Sequence, residues 1–436
     1  MAINKTLAAI TAVVGALLPT LVCRAQPTPP QPDDEPQYMR ITDDQDAGAV
    51  SLELSIRTLN PPKAGEPVVH LVGVAHIGQP AYYRALQSFL DKQDLVLFEG
   101  VGAPWMNVPD DASDARRREA TTGRIRFLAA EAEGVKRALG AYPEDAQALL
   151  EQAEHSSRRQ ISEALTDAWG HPIAYALGDG ALELTSLGAD AKPGGDGPDA
   201  DVRWSDQPPL TDGELSTADG IQTQLAGAAG LVFQLDAIDY MRDRWVNADM
   251  TVDELLGVTG DAFTPDDGEG GSDPLIGLLS GESLLAKVTG FVLKLLGSSE
   301  YSRAILRLTL IEMLGRSEEL MAMAANPVLD EGLWERILDG RNEVVLKDLR
   351  DVLADPGDVR SIAVFYGSGH LPGLEKALVE DDGYTLAETR WLPAIIVNFE
   401  ESGIPPRQGE FFRKRVSSMI DSQIEAVKEM APPSGD

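Results

Sequence analysis

Three polar side chains in this sequence stand where apolar, strand-like runs end. His76 follows "VVHLVGVA", Glu99 follows "LVLF", and His370 closes the stretch "SIAVFYGSGH". Two imidazoles and one carboxylate are a recurrent ligand set for a divalent metal ion that keeps open coordination positions. The chain has only 5 histidines, so two of them in one context favour a common role. For each residue alone, a hydrogen-bonding role at the sheet edge is the alternative.

A βαβ unit is predicted to position the first two of these residues. "VVHLVGVA" has the continuous apolar pattern of a strand buried on both faces, Pro80 stands at a first helical position, and "LVLFEGV" predicts the next buried strand. In open α/β sheets, ligands bind outside the carboxyl ends of the strands. The predicted fold class is therefore α/β, with a central mixed, partly parallel sheet flanked by helices and a largely helical insertion between the two motif-bearing ends.

The composition divides the chain into four parts. Residues 1–25 have the charged start, apolar stretch and small-x-small end of a signal peptide. Residues 26–47 are a Pro- and acid-rich linker, residues 48–400 the α/β domain, and residues 401–436 a C-terminal helix and tail. The insertion occupies about residues 105–330 and contains acidic loops.

The charge and the cysteine content limit the range of possible functions. A net charge of −33 excludes nucleic acid as a partner, because phosphate backbones are bound by clustered Lys and Arg. Cleavage after Ala25 would remove the only cysteine, Cys23, and with it any thiolate chemistry. The protein is expected to be exported to the periplasm or the extracellular space. Membrane contact is expected only through an uncleaved leader, which would then act as an anchor.

Arg341 and Asn342 are further candidates. Arg341 is predicted near a helix N-terminus, where the helix dipole disfavours a cation. It would therefore pair a carboxylate or meet a substrate anion, and a salt bridge with Asp339 or Asp348 is the structural alternative. Asn342 could donate a hydrogen bond to a substrate carbonyl or cap the helix.

Together these residues resemble the motifs of the TraB/PrgY/GumN family, which includes the Tiki metalloproteases. The resemblance spans about residues 49–400, although only the two ends match clearly. The matching features are Gly73-x-x-His76, the strand-terminal Glu99, the pair Arg341-Asn342, and Gly367-x-x-His370. The resemblance implies a fold shared with erythromycin-esterase-like and ChaN-like proteins and, for the Tiki branch, metal-dependent peptide cleavage.

The resulting hypothesis is a metal-dependent hydrolase of peptide or ester bonds. His76, Glu99 and His370 would hold a divalent ion (Mn, Co or Zn), with Glu99 as ligand or general base, while Arg341 and Asn342 stabilise an oxyanion. The acidic chain would favour a cationic peptide or small-molecule substrate. One alternative keeps His76 as a general base without metal. The other is a non-catalytic protein that binds a peptide or small ligand through the same edge.

Overall fold

The computed structural model describes residues 37–100, 111–178, 180–211, 226–251, 299–316 and 336–430, with residues 103, 105, 106, 108 and 109. The predicted leader, residues 1–25, lies outside these ranges. Within them, no helix combines the length and the apolar character needed to cross a membrane.

Twelve strands are present in the described residues. They are β1 (Met39–Asp44), β2 (Ala49–Asn60), β3 (Val68–Val74), β4 (Ile77–Gly78), β5 (Leu95–Phe98), β6 (Ala174–Gly178), β7 (Ala181–Ser186), β8 (Val202–Arg203), β9 (Val232–Phe233), β10 (Trp245–Asn247), β11 (Ser361–Gly367) and β12 (Thr385–Asn398).

The described helices surround these strands. They are α1 (Pro80–Leu90), α2 (Asp114–Leu139), α3 (Ala146–Gln152), α4 (Arg158–Ala164), α5 (Gln234–Ala237), α6 (Glu300–Leu314), α7 (Arg341–Ala354), α8 (Leu371–Glu380), α9 (Phe399–Ser402) and α10 (Pro406–Met430). Short 3-10 turns cover His155–Ser157 and Ser368–His370, and a π-helical turn, Arg336–Gly340, leads into α7.

The central sheet has seven strands in the order β1-β2-β3-β11-β5-β10, and β12 pairs with β2. Strands β3, β11, β5 and β10 are parallel, whereas β1, β2 and β12 pair in antiparallel fashion. The expected α/β class with a mixed, partly parallel sheet is confirmed. Because β11 lies between β3 and β5, the ends of the three motif-bearing strands meet at one edge.

Two apolar layers explain why the parallel strands are continuously hydrophobic. On β3, Val72 and Val74 face a layer with α1, α6 and α10, whereas Val69 and Leu71 face α7 and α8 on the other side. Side chains of a strand alternate between faces, so a strand buried on both faces needs an apolar residue at nearly every position.

A second sheet, β6-β7-β8, lies outside this framework and packs on α2. It has its own core, which contains Ile125, Leu128 and Ala132 of α2 and Leu182 and Leu184 of β7. The insertion was expected to be largely helical, and the helices α2, α3 and α4 are present, but the three strands were not anticipated. Strand β1 likewise lies inside the predicted linker.

Candidate functional site

Four of the five predicted site residues meet at the carboxyl edge of the parallel strands. Glu99 follows β5 and accepts a hydrogen bond from the backbone N–H of Gly367, at the end of β11. His370 ends the turn after β11, and its Nε2 lies 3.8 Å from Glu99 Oε1. The first two residues of α7, Arg341 and Asn342, are buried beside them. Asp249, which follows β10, forms a salt bridge with Arg341. We call Glu99, Asp249, Arg341, Asn342 and His370 the edge cluster.

Arg341 is the centre of the edge cluster. Its guanidinium donates to Glu99 Oε1 at 2.6 Å and binds both carboxylate oxygens of Asp249, with Nε–Oδ1 at 2.8 Å and Nη2–Oδ2 at 2.6 Å. The side chain of Asp249 is completely buried, and those of Glu99 and Arg341 are 10% and 9% exposed. Charge-assisted, bidentate pairs of this kind are among the strongest polar contacts in proteins.

The partners of Arg341 differ from the predicted alternatives. A salt bridge with Asp339 or Asp348 was considered, but the carboxylates in contact are Glu99 and Asp249. Asp249 was not among the site residues predicted from the sequence. The signal that identifies it is its position after the short strand β10, which is parallel to β5 and so ends at the same edge.

Burial and charge set the protonation states of the edge cluster. Burial raises the pKa of the Glu99 carboxyl, but the neighbouring Arg341 guanidinium outweighs burial and holds that pKa below its usual range. Burial lowers the pKa of Arg341, but Asp249 and Glu99 outweigh it and raise that pKa. Burial also lowers the pKa of His370. The cluster therefore contains ionised Glu99, cationic Arg341 and neutral His370 at neutral pH.

Asn342 fixes the orientation of the His370 ring. The Nδ1 of His370 lies 2.9 Å from Asn342 Oδ1, and the Asn342 amide donates to the carbonyl of His370. An amide oxygen only accepts, so Nδ1 carries the proton. The Nε2 lone pair then faces Arg341 Nη1 at 3.4 Å. Neither helix capping nor contact with a substrate is needed to explain Asn342.

His76 stands apart from the edge cluster. Its Nδ1 is bonded to Gln234 Oε1 at 3.0 Å, and the residue is exposed. A positive charge on its imidazole would lower the pKa values of Glu99 and His370, so it is a neighbour of the cluster rather than a member.

The predicted metal shell is not assembled in this arrangement. In the part of the chain described, no group of three or more His, Cys, Asp or Glu side chains is placed to hold a metal ion. Both oxygens of Glu99 are already bonded, one to Arg341 and the other to Gly367. The donor set therefore does not fit a divalent ion unless Arg341 leaves Glu99, and the metal stays a prediction.

The glycines of the two Gly-x-x-His motifs have packing reasons of their own. A Cβ on Gly73 would lie 2.6 Å from Ser368 Oγ, and one on Gly367 would lie 3.1 Å from Glu99 Oε2. A side chain at Gly73 would force Ser368 to shift, and one at Gly367 would press against the Glu99 carboxylate. Close packing of neighbouring strand ends is thus a reason for the two glycines that does not depend on the chemistry of the site.

An open pocket of about 160 Å³ lies beside the edge cluster, and Glu99 forms part of its wall. Phe98 and Asn247 line it from the sheet, Tyr240 lines it from the segment before β10, and His155 and Arg159 line it from the helical side. Arg159 donates to the carbonyls of Tyr240 and Trp245, and its guanidinium stacks over the ring of Phe98 at 4.7 Å. The pocket thus marks where α4 and the preceding turn attach to the sheet.

Beyond α4, buried polar contacts build the turn and loop that carry the second sheet. The Asp167 carboxylate accepts from the backbone N–H groups of Trp169 and His171 and from the Ser186 hydroxyl. The Arg118 guanidinium of α2 donates to the carbonyls of Ala200 and Asp201. Residues 111–205 are consequently a tightly connected unit of helix, turn and sheet.

This unit is what the comparisons with known proteins identify. Residues 107–205 match the family model of type II secretion system (T2SS) protein G. A related sequence is the type II secretion system core protein G of Xanthomonas campestris pv. campestris, 50% identical over 42 residues. That match covers 9% of this chain and 29% of the relative. No solved structure matches the chain. The protein is thus an α/β protein that contains a region similar to protein G, and we call residues 107–205 the G-like region.

These findings correct the family and function predicted from the sequence. The TraB/PrgY/GumN assignment is wrong, because the family model that matches is that of protein G. The metal-dependent hydrolase inferred with it is wrong on the same finding, and the alternative of a non-catalytic protein that binds a peptide or small ligand has no support in these comparisons. Export, in contrast, is confirmed by the match to a secretion protein. The chemical roles of the five predicted site residues stay predictions.

Proposed function

We propose that the protein acts in type II secretion as an exported assembly protein, and that its G-like region contacts protein G of the secretion system. The observation that carries the proposal is the match of residues 107–205 to the protein G family. The chain spans only 29% of the length of the relative it matches. The predicted peptide or small-molecule substrate has no support in this match and is not part of the proposal.

The G-like region has capped helix ends and a hydrophobic core of its own, as a unit that binds a partner requires. Ser113 caps the N-terminus of α2 by accepting from the N–H of Arg116, and Gly140 ends the helix in the left-handed conformation. The helix and sheet enclose a core whose members include Ile125, Leu149 and Leu184, all fully buried. A unit with its own core keeps a defined surface for a partner.

The surface best suited to a protein partner is the free edge of β6. Within the described residues β6 pairs only with β7, so one edge of Ala174–Gly178 has no strand beside it. The strand reads Ala-Tyr-Ala-Leu-Gly, without a charged residue, and Leu177 is 39% exposed. Proteins normally guard edge strands with charges or prolines, since a bare edge pairs with other chains. Strand addition to β6 is therefore the contact we propose.

The sheet framework holds the G-like region in place for this contact. Arg159 bonds to Tyr240 and Trp245, and His155 Nε2 lies 3.1 Å from the carbonyl of Ile238. These contacts fix α4 and its preceding turn to the segment before β10. The α/β domain is thus a scaffold that presents β6.

The proposal is tested by the affinity of the purified full chain for purified Xanthomonas campestris protein G. Two lysines on β6, in Ala176→Lys/Leu177→Lys, should weaken binding at least tenfold, because charged edges resist strand pairing. The matched control is Val379→Lys/Leu386→Lys, which places the same charges at exposed apolar positions of α8 and β12. Equal loss in both variants, or no binding by the unmodified chain, would contradict the proposal.

A further inference from the structure

The C-terminal helix α10 has two distinct faces. Phe412, Val416 and Ile420 are buried in the layer that also contains α6. One residue before Phe412, Phe411 turns to the opposite side, where it is 65% exposed. The Phe411 ring therefore presents a large apolar surface to solvent.

Cations surround Phe411 on the exposed face. Arg407, Lys414 and Arg415 stand four residues before it and three and four residues after it, which are neighbouring positions on a helix surface. Lys414 pairs with Glu410 at 2.7 Å, whereas Arg407 and Arg415 have no ion pair within the described residues. We call Arg407, Phe411, Lys414 and Arg415 the basic-aromatic face.

The basic-aromatic face is unusual in this chain. The protein carries 70 acidic and 37 basic residues, yet three cations share one helix face with an exposed phenyl ring, and only Lys414 of them has an ion pair within the described residues. Cations within a Debye length, about 8 Å at physiological ionic strength, bind an anionic surface while more distant acidic residues are screened. Helices that lie in a membrane interface combine Lys and Arg with an apolar residue such as Phe, and the basic-aromatic face supplies both.

We propose that the basic-aromatic face docks the protein on the surface of a bilayer that contains anionic lipids. Arg407 and Arg415 contact lipid phosphates, and Phe411 enters the boundary between headgroups and acyl chains. The helix lies on the bilayer and does not cross it, because its opposite face remains packed on α6. This contact is additional to any retained leader and is independent of the proposed contact with protein G.

The dependence of vesicle binding on salt concentration distinguishes this contact from non-specific adsorption. At very low ionic strength the net charge of −33 repels an anionic bilayer as a whole. At high ionic strength the local attraction of the three cations is screened. Binding is therefore expected to be strongest at intermediate salt, near 0.15 M, and weaker at both extremes.

The test is co-sedimentation of the purified full chain with vesicles of phosphatidylglycerol and phosphatidylcholine, beside vesicles of phosphatidylcholine alone. We expect at least tenfold tighter binding to the anionic vesicles. Each cation at such a surface contributes about fivefold in affinity, so Arg407→Gln/Arg415→Gln should bind about 25-fold more weakly. Phe411→Ser should weaken binding by about tenfold through the lost apolar burial.

The matched control removes two lysines elsewhere. Lys63→Gln/Lys347→Gln changes the net charge equally, at side chains that are 80% and 74% exposed, and should leave vesicle binding unchanged. All of the substituted residues lie on the surface, so unchanged thermal unfolding verifies the fold of each variant. Equal binding to both vesicle types, or equal losses in the test and control variants, would overturn the proposal.

Discussion

The edge cluster makes a sharp prediction about stability, because one cation neutralises two buried carboxylates. In Arg341→Gln, Glu99 and Asp249 lose three hydrogen bonds from the guanidinium, at 2.6, 2.8 and 2.6 Å. A hydrogen bond to a charged group contributes about 1.5–3 kcal/mol, and the glutamine amide replaces one of the three. Removing one partner of a buried ion pair costs about 3–5 kcal/mol in total, and we expect a loss in that range.

The assay is urea unfolding of the full chain at pH 7, followed by circular dichroism. The control is Arg350→Gln on the same helix, because Arg350 binds Asp382 at the surface with its side chain 42% exposed. An exposed pair contributes about 0–1 kcal/mol. If Arg341→Gln destabilised the protein no more than Arg350→Gln, the interpretation of the edge cluster as a buried ion network would be refuted.

The pH dependence of this loss has a definite sign. The folded-state pKa of Glu99 lies below its unfolded value, so its contribution to stability is present above the unfolded pKa, about 4.3. That contribution disappears as the pH falls through the lower folded pKa. In Arg341→Gln the Glu99 carboxylate is buried without its cation, so protonation of Glu99 removes the free-energy cost of the unpaired buried charge. The difference between the two proteins should therefore be largest near pH 7 and should shrink toward pH 4.

Three further predictions concern single features. The pKa of His370 is lowered in the folded state, so the protein should lose stability as the pH falls below about 6.5, and His370→Gln should abolish that part of the loss in unfolding titrations. Gly194 and Gly195 have the same φ of about +90°, but only at Gly195 would a Cβ meet the Asp199 carbonyl, at 2.6 Å. Thermal unfolding should therefore show Gly195→Ala to be less stable than Gly194→Ala by at least about 1 kcal/mol, and equal values would contradict the described loop. For the divalent metal predicted from the sequence, elemental analysis decides: equal metal content in the unmodified chain and in His76→Ala/His370→Ala would remove that prediction.

The sequence predicted the parallel strands and their meeting edge for a clear physical reason. Runs such as "VVHLVGV" and "SIAVFYG" are apolar on both faces, and the edge position of Glu99 and His370 follows from strand direction alone. Arg341 was recognised because a cation at a helix start needs an anion, but its partner Asp249 was not. Strand β10 has only three residues, too few for a pattern to reveal.

The features that were not predicted have sequence patterns that are short or that also occur in other structures. Strand β1 reads Met-Arg-Ile-Thr-Asp-Asp and ends in two acidic residues, so Met39–Asp44 looked like a continuation of the acidic linker. Strand β6 is mostly exposed, and β7 has only six residues with a partly polar alternation, so both are short signals within a region dominated by polar helices. The family assignment failed because a Gly-x-x-His motif fixes only two residues, and close packing at Gly73 and Gly367 is by itself a reason for glycine at both positions.

The central claim is that β6 of the G-like region contacts protein G, and site-specific cross-linking tests it most directly. A photoreactive phenylalanine is placed at Leu177 on β6 or at the comparably exposed Leu386 on β12, and the full chain is irradiated with purified Xanthomonas campestris protein G. The account predicts a cross-linked product from position 177 and none from position 386. Cross-linking from neither position, or equally from both, would contradict it.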